Sequence, residues 1–160
     1  MLSMGANPNV DLGEGKTATM VAAEKGPLAV FQVIVAHRGD LSKRDDYGWS
    51  SIHFAAASGI IGKLLIVIRA GESVDARASD GRTPLMVCAL LGKHETARLL
   101  IRRGANPNAK DKLGLTAAMW CSQWARPDKL DQEPEESRAL IVDYLARAGA
   151  NLNLGDARGT

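Results

Sequence analysis

Gly15, Gly48, Gly81 and Gly114 stand 33 residues apart, and no other feature of the chain restricts its fold so far. A fixed period of that length means that one supersecondary unit is repeated and stacked, in place of a single central core. The register continues inside the unit. Gly26, Gly59 and Gly92 each fall 11 residues after a glycine of the first set, and Gly71 and Gly104 fall 23 after theirs. Similar phrases recur, from Gly5-Ala6-Asn7-Pro8-Asn9 to Gly104-Ala105-Asn106-Pro107-Asn108 and Gly149-Ala150-Asn151-Leu152-Asn153.

Residues 77–109 show what one unit encodes. Asp80-Gly81 is a turn signal, because glycine reaches positive φ without a steric penalty. Thr83 can cap free amides and Pro84 fits a first helical turn, where its missing N–H costs nothing. Cys88 and Ala89 keep this helix slim, and Gly92 ends it. Ala97, Leu100 and Ile101 then follow at helical spacing, closed by the capping glycine Gly104.

The pattern Asp80-Gly81-Arg82-Thr83-Pro84-Leu85, with Leu99-Leu100 and Gly104-Ala105-Asn106 after it, resembles the ankyrin repeat. The resemblance covers almost the whole chain. It implies an all-α solenoid of stacked helix–turn–helix units carrying short β-hairpin fingers, the fingers and first helices lining a concave face. Four units are placed at 11–43, 44–76, 77–109 and 110–154. Residues 1–10 read as the tail of a preceding repeat and 155–160 as the start of a further one. Neither end carries the polar capping repeat that usually closes a solenoid, so a longer array or covering partners are expected.

Three departures stand out. In the first unit Arg38 occupies the place of the helix-ending glycine and Gly39 follows it. This reads as a helix prolonged by one residue, in preference to an arginine strained at positive φ. In the second unit Ser51 replaces proline, and His53 takes the place of a histidine that the resemblance makes structural. In the fourth unit Ala125 stands where an inter-helix glycine is expected, and Gly149 comes 35 residues after Gly114 in place of 23. An acidic insertion near 126–137, with Pro127 and Pro134, is therefore expected to form a solvated loop, either mobile or offering a second contact site.

Composition narrows the function classes. The chain has 160 residues, 46% of them apolar, which suffices for a substantial buried interior. No apolar run approaches the roughly 18 residues of a membrane span, and the Ile60 to Ile68 stretch is interrupted by Gly62 and Lys63. The opening residues show no basic region leading into an apolar one, so no secretory signal is expected. A net charge of +2 does not by itself argue for nucleic acid. Cys88 and Cys121 occupy equivalent positions in neighbouring units, too far apart for a disulfide, and fit buried free thiols of an intracellular protein, cytoplasmic or nuclear.

Signals of catalysis are absent. His37, His53 and His94 are scattered without partners at metal-ligand spacing, so neither a metal nor a cofactor is expected. Gly13-Glu14-Gly15-Lys16-Thr17 only faintly resembles a phosphate loop and falls, in register, at a hairpin tip. Asn9, Asn108 and Asn153 occupy a hairpin phrase whose asparagine is hydroxylated in some ankyrin-repeat proteins; a structural, bridging role is expected.

The resemblance places the variable, exposed positions beside the turn glycine and on the first helix. There Arg44, Arg77, Arg82, Lys110 and Lys112 form a basic ladder, while Tyr47, Trp49, Leu90, Leu113, Leu115 and Trp124 add apolar and aromatic surface. Tryptophan, tyrosine and arginine are frequent interface anchors. Trp120 is expected in the inter-repeat core. The reading is a non-catalytic module that binds a protein or peptide with acidic and apolar groups. The alternatives are a small anionic or nucleotide-like ligand, or a passive spacer in a larger enzyme, channel or ubiquitin-ligase subunit. The oligomeric state is left open.

Overall fold

The computed structural model describes residues 5–123 and 135–153. Among them lie eight helices and no strand: α1 (Ala18–Glu24), α2 (Leu28–Ala36), α3 (Ser51–Ser58), α4 (Ile61–Arg69), α5 (Pro84–Leu91), α6 (His94–Arg102), α7 (Ala117–Gln123) and α8 (Glu135–Arg147). Each odd helix packs on the even helix that follows it. The odd helices then stack in one row and the even helices in a second. This is an all-helical repeat solenoid. No described helix is long and apolar enough to cross a membrane.

The first helices share one capping device. The hydroxyl of Thr17 accepts from the Met20 amide at 3.3 Å, that of Thr83 from Met86 at 3.4 Å, and that of Thr116 from Met119 at 3.5 Å. Ser50 and His53 close a reciprocal box, the Ser50 amide donating to His53 Nδ1 at 3.2 Å. Met86 and Met119 fill the histidine's place. Their sulfurs accept from the Thr83 and Thr116 amides at 3.5 Å. A weakly accepting thioether thus stands in for an imidazole in two repeats.

Small residues bring the odd row together. Ala22, Ala23, Ala55, Ala56, Cys88 and Ala89 are buried between successive first helices. Both thiols are free and buried, as expected. Cys88 Sγ lies 3.8 Å from the Ala56 carbonyl, and Cys121 Sγ the same distance from that of Ala89. Burial pushes the Cys88 thiol up to about 12 and the Cys121 thiol to about 11, so both stay protonated and unreactive near neutral pH.

One buried cation was hidden within an apolar run. Lys63 is fully buried on α4, and its Nζ donates to the Ala23 carbonyl at the end of α1, at 2.9 Å. Burial depresses its pKa, while the Glu24 charge acts the other way. In the next repeat Thr96 Oγ1 takes over, donating to the Ala56 carbonyl at 3.2 Å.

The expected prolongation of α2 does not occur. That helix ends at Ala36, and Arg38 takes φ 65°. The Arg38 amide donates to Val35 O at 3.1 Å and the Gly39 amide to Ile34 O at 2.9 Å. The end of α6 repeats this geometry through Gly104 and Ala105. A two-bond loop of this kind demands a left-handed residue after the cap. Glycine moves one place on because a Cβ at Gly39 would lie 2.7 Å from Thr19 Oγ1. Arg38→Gly is therefore expected to raise stability by about 0.5–1 kcal/mol, relief of strain outweighing the freer unfolded chain. An unchanged urea midpoint would show that Arg38 carries no strain.

The insertion in the fourth unit is only partly loop. Glu135, Glu136 and Ser137 form the first turn of α8, where two carboxylates face the positive end of the helix dipole. This helix has 13 residues, against 9 for α2, α4 and α6. Residues 126–134 and Ala125 lie outside the described residues.

Candidate functional site

Ahead of each odd helix the chain forms a tight hairpin finger. The Leu12 amide donates to Lys16 O at 2.7 Å, Asp45 to Trp49 O at 2.9 Å, Ala78 to Arg82 O at 3.0 Å and Asp111 to Leu115 O at 3.0 Å. Buried carboxylates fix two of the tips. Asp45 accepts from the Tyr47 and Trp49 amides at 2.9 and 2.8 Å. Asp111 accepts from those of Leu113 and Leu115, both at 2.9 Å.

Successive fingers are joined in register. The Asp46 amide donates to Glu14 O at 3.0 Å, Ser79 to Tyr47 O at 2.9 Å and Lys112 to Asp80 O at 2.9 Å. Arginines add a second set of ties. Arg44 Nη1 donates to Gly48 O and to Arg77 O, both at 2.7 Å. Arg77 Nη1 repeats this to Gly81 O at 3.2 Å and Lys110 O at 2.7 Å. A rung residue is thereby held at a fixed place in each layer, as recognition by a preorganised surface requires.

The sequence-predicted residues divide into groups. Arg44, Arg77, Lys110 and Lys112 are exposed, but one nitrogen of Arg44 and of Arg77 is already committed to the backbone. Arg82 is half-buried, paired with Asp80 and lying 5.1 Å over the Trp120 ring. Tyr47 and Leu113 are open, at 59% and 70% exposure. Trp49 and Leu90 are only half-buried surface, since both pack on the core. Leu115 departs from expectation: it is 9% exposed, belongs to the core cluster and offers no binding surface. It stands just ahead of α7 and packs with that helix's Ala117, Ala118 and Met119 in the core cluster, whereas Leu113 stays at the finger tip. Trp124 lies outside the described residues.

Trp120 is buried as expected, its Nε1 donating to Asp111 Oδ2 at 3.0 Å. His53 is buried and structural, its Nε2 lying 3.0 Å from Ala76 O and 3.3 Å from Arg82 O. With Nδ1 accepting from Ser50, Nε2 carries the proton and donates. Asn9 and Asn108 bridge to the following repeat: Asn9 Nδ2 donates to Arg38 O at 3.0 Å, and Asn108 Nδ2 to Gly149 O at 3.1 Å. The Gly13–Lys16 segment is a hairpin tip, closed by Lys16 N to Gly13 O at 3.0 Å.

Sequence reading missed a cleft of about 420 Å³ between the fingers and the first helices. Three consecutive repeats wall it: Lys16 and Glu24, then Tyr47, Trp49 and Phe54, then Asp80 and Arg82. The Trp49 ring stands 5.3 Å from Phe54 and 5.7 Å from His53. Phe54 comes from α3, at a position the finger register alone does not single out.

This periodic architecture has a counterpart among known families: ankyrin repeats, in three copies, match residues 52–156. The chain belongs to the ankyrin-repeat family. Ankyrin repeats generally serve as protein-binding modules. The match starts in the second unit, after the atypical Thr17-Ala18-Thr19-Met20, yet α1 and α2 stack in the same manner as their successors.

Among relatives, Neurogenic locus notch homolog protein 1 of Xenopus laevis is 31% identical over 109 residues, 68% of this chain and 4% of that protein. SH3 and multiple ankyrin repeat domains protein 2 of Homo sapiens is 28% identical over 112 residues, 69% of this chain and 6% of its own length. Alpha-latrotoxin-Lg1a of Latrodectus geometricus is 32% identical over 120 residues, 72% and 9% of the two chains. The chain thus spans less than a tenth of each of these relatives.

Proposed function

We propose that this chain is a non-catalytic module within a longer ankyrin array, and that its finger face binds a protein segment carrying acidic and apolar groups. The observation that carries the reading is the pairing of open apolar tips with held cations. Tyr47 and Leu113 are largely exposed on the second and fourth fingers, which also bear Arg44 and Lys110 with Lys112, and Arg77 stands on the finger between them. Open apolar tips beside arginines on one row of fingers suit contact with another molecule, since tyrosine and arginine are frequent interface anchors. Arg44 and Arg77 are preorganised by their carbonyl bonds, and a guanidinium with Nη1 so engaged still offers further donors to a carboxylate.

The longer array rests on the outer side of the first helix pair. Val21, Val30 and Val33 are exposed there at 41%, 47% and 51%. One period on, Phe54 and Lys63 replace Val21 and Val30 and are covered by the preceding repeat. A preceding repeat would cover these valines in the same way.

Peptides selected from a random library on the wild-type chain provide a test. Lys110→Glu with Lys112→Glu reverses two exposed charges that hold no described contact through their side chains. Affinity is expected to fall by about tenfold or more, with a shallower salt dependence and an unchanged melting temperature. Equal affinity in the folded double variant would remove this face from the reading.

A further inference from the structure

The finger face is not uniformly basic. Counting the charged residues from the fourth position before each turn glycine to the first after it, the first two fingers carry a net acid each and the last two a net base each. Asp11 and Glu14 outweigh Lys16, and Asp45 and Asp46 outweigh Arg44; beyond them, Arg77 and Arg82 outweigh Asp80, and Lys110 and Lys112 outweigh Asp111. The cleft lies at the acidic end. Its walls hold the carboxylates of Glu24, Asp45, Asp46 and Asp80 against the cations of Lys16 and Arg82.

Those two cations are already placed. Lys16 Nζ stands 5.9 Å over the Phe54 ring, and Arg82 covers Trp120 while pairing with Asp80. Asp45 is buried, with its Oδ1 taken up by two backbone amides. Glu24 and Asp46 form no ion pair among the described residues, and Asp46 is exposed at the rim beside Tyr47 and Trp49. An aromatic wall with Asp46 unpaired at its rim, and Glu24 answered only by the charge of the buried Lys63, suits a long apolar stem ending in a cation. A cleft of this kind also concentrates the field of its charges.

We propose that the cleft accepts a lysine or arginine side chain of the bound segment, which sets the polarity of that segment along the array. Its basic residue lies at the second finger and its acidic residues lie toward the fourth. This deepens the reading of the finger face as the binding surface and rests on it.

The test uses N-acetyl-lysine methylamide and its neutral isostere N-acetyl-norleucine methylamide, titrated against the chain with the Trp49 indole resonance observed by NMR. Saturable millimolar shifts are expected for the lysine compound, with little response to norleucine. Asp46→Asn should weaken the lysine compound by about threefold at unchanged melting temperature, and Glu24→Gln with Asp46→Asn by about fivefold or more in protein that remains folded. Equal response to both probes, or unaltered binding by the double variant, would overturn the cleft assignment. If that happens while Lys110→Glu and Lys112→Glu still weaken the selected peptides, the finger face survives and only the cleft falls. Saturable lysine binding in the cleft, with no effect of those reversals, would support the cleft and refute the acidic partner.

Discussion

Gly48→Ala is expected to destabilise the protein by about 2–5 kcal/mol, combining strain at positive φ with forced overpacking. The backbone at Gly48 has φ 75°, and an added Cβ would lie 2.6 Å from the Ser79 amide nitrogen and 2.5 Å from Ser79 Oγ. The hydroxyl could rotate away. The amide could not, because it donates to Tyr47 O and joins the second finger to the third. Gly104→Ala isolates the strain, since its φ is 87° and nothing lies within 4 Å of its added Cβ. It should cost only about 1–2 kcal/mol. Urea denaturation of the two variants separates these effects. Equal losses would mean that the finger contact tolerates a methyl group, and the proposed rigidity of the ladder would be wrong.

Acid should begin to weaken the fold as soon as an ordinary histidine would take up a proton. Burial holds His53 at about 4, against 6.5 for an ordinary histidine. Below pH 6.5 the unfolded chain takes up a proton that the folded chain refuses. Stability therefore falls with falling pH, by about 1.4 kcal/mol per unit and roughly 3 kcal/mol in all, until the folded imidazole also protonates near pH 4. Asp40, held low chiefly by the Ser42 hydroxyl, loses its contribution only in more acid solution. Glu72, raised by burial, acts in the opposite sense as pH falls. His53→Met isolates the histidine, since Met86 and Met119 occupy the same capping position elsewhere. The variant should lose most of the slope between pH 6.5 and 4. An unaltered slope would mean that His53 is not the group responsible.

Much of the fold could be read from the period alone, because turn glycines and cap threonines specify local geometry wherever they stand. Thr83, Pro84 and Gly104 needed no tertiary information. Arg38 did, because the space beside Gly39 is set by Thr19, 20 residues earlier. Lys63 reads as a polar break in an apolar run, and only the neighbouring helix end explains its burial. The site was legible to a similar degree. Register found the fingers, whereas the inward turn of Leu115 and the acidic cleft depend on three-dimensional packing. Asp45 and Asp111 illustrate the difference: aspartate is a mostly exposed residue type, yet these two are buried and accept from backbone amides.

Hydrogen exchange on the chain with a selected peptide bound addresses most directly whether the fingers are the recognition surface. Added protection is expected at residues 44–49, 77–82 and 110–115, with the outer even helices α4 and α6 unaffected. Protection confined to α4 and α6, with the fingers unchanged, would contradict it.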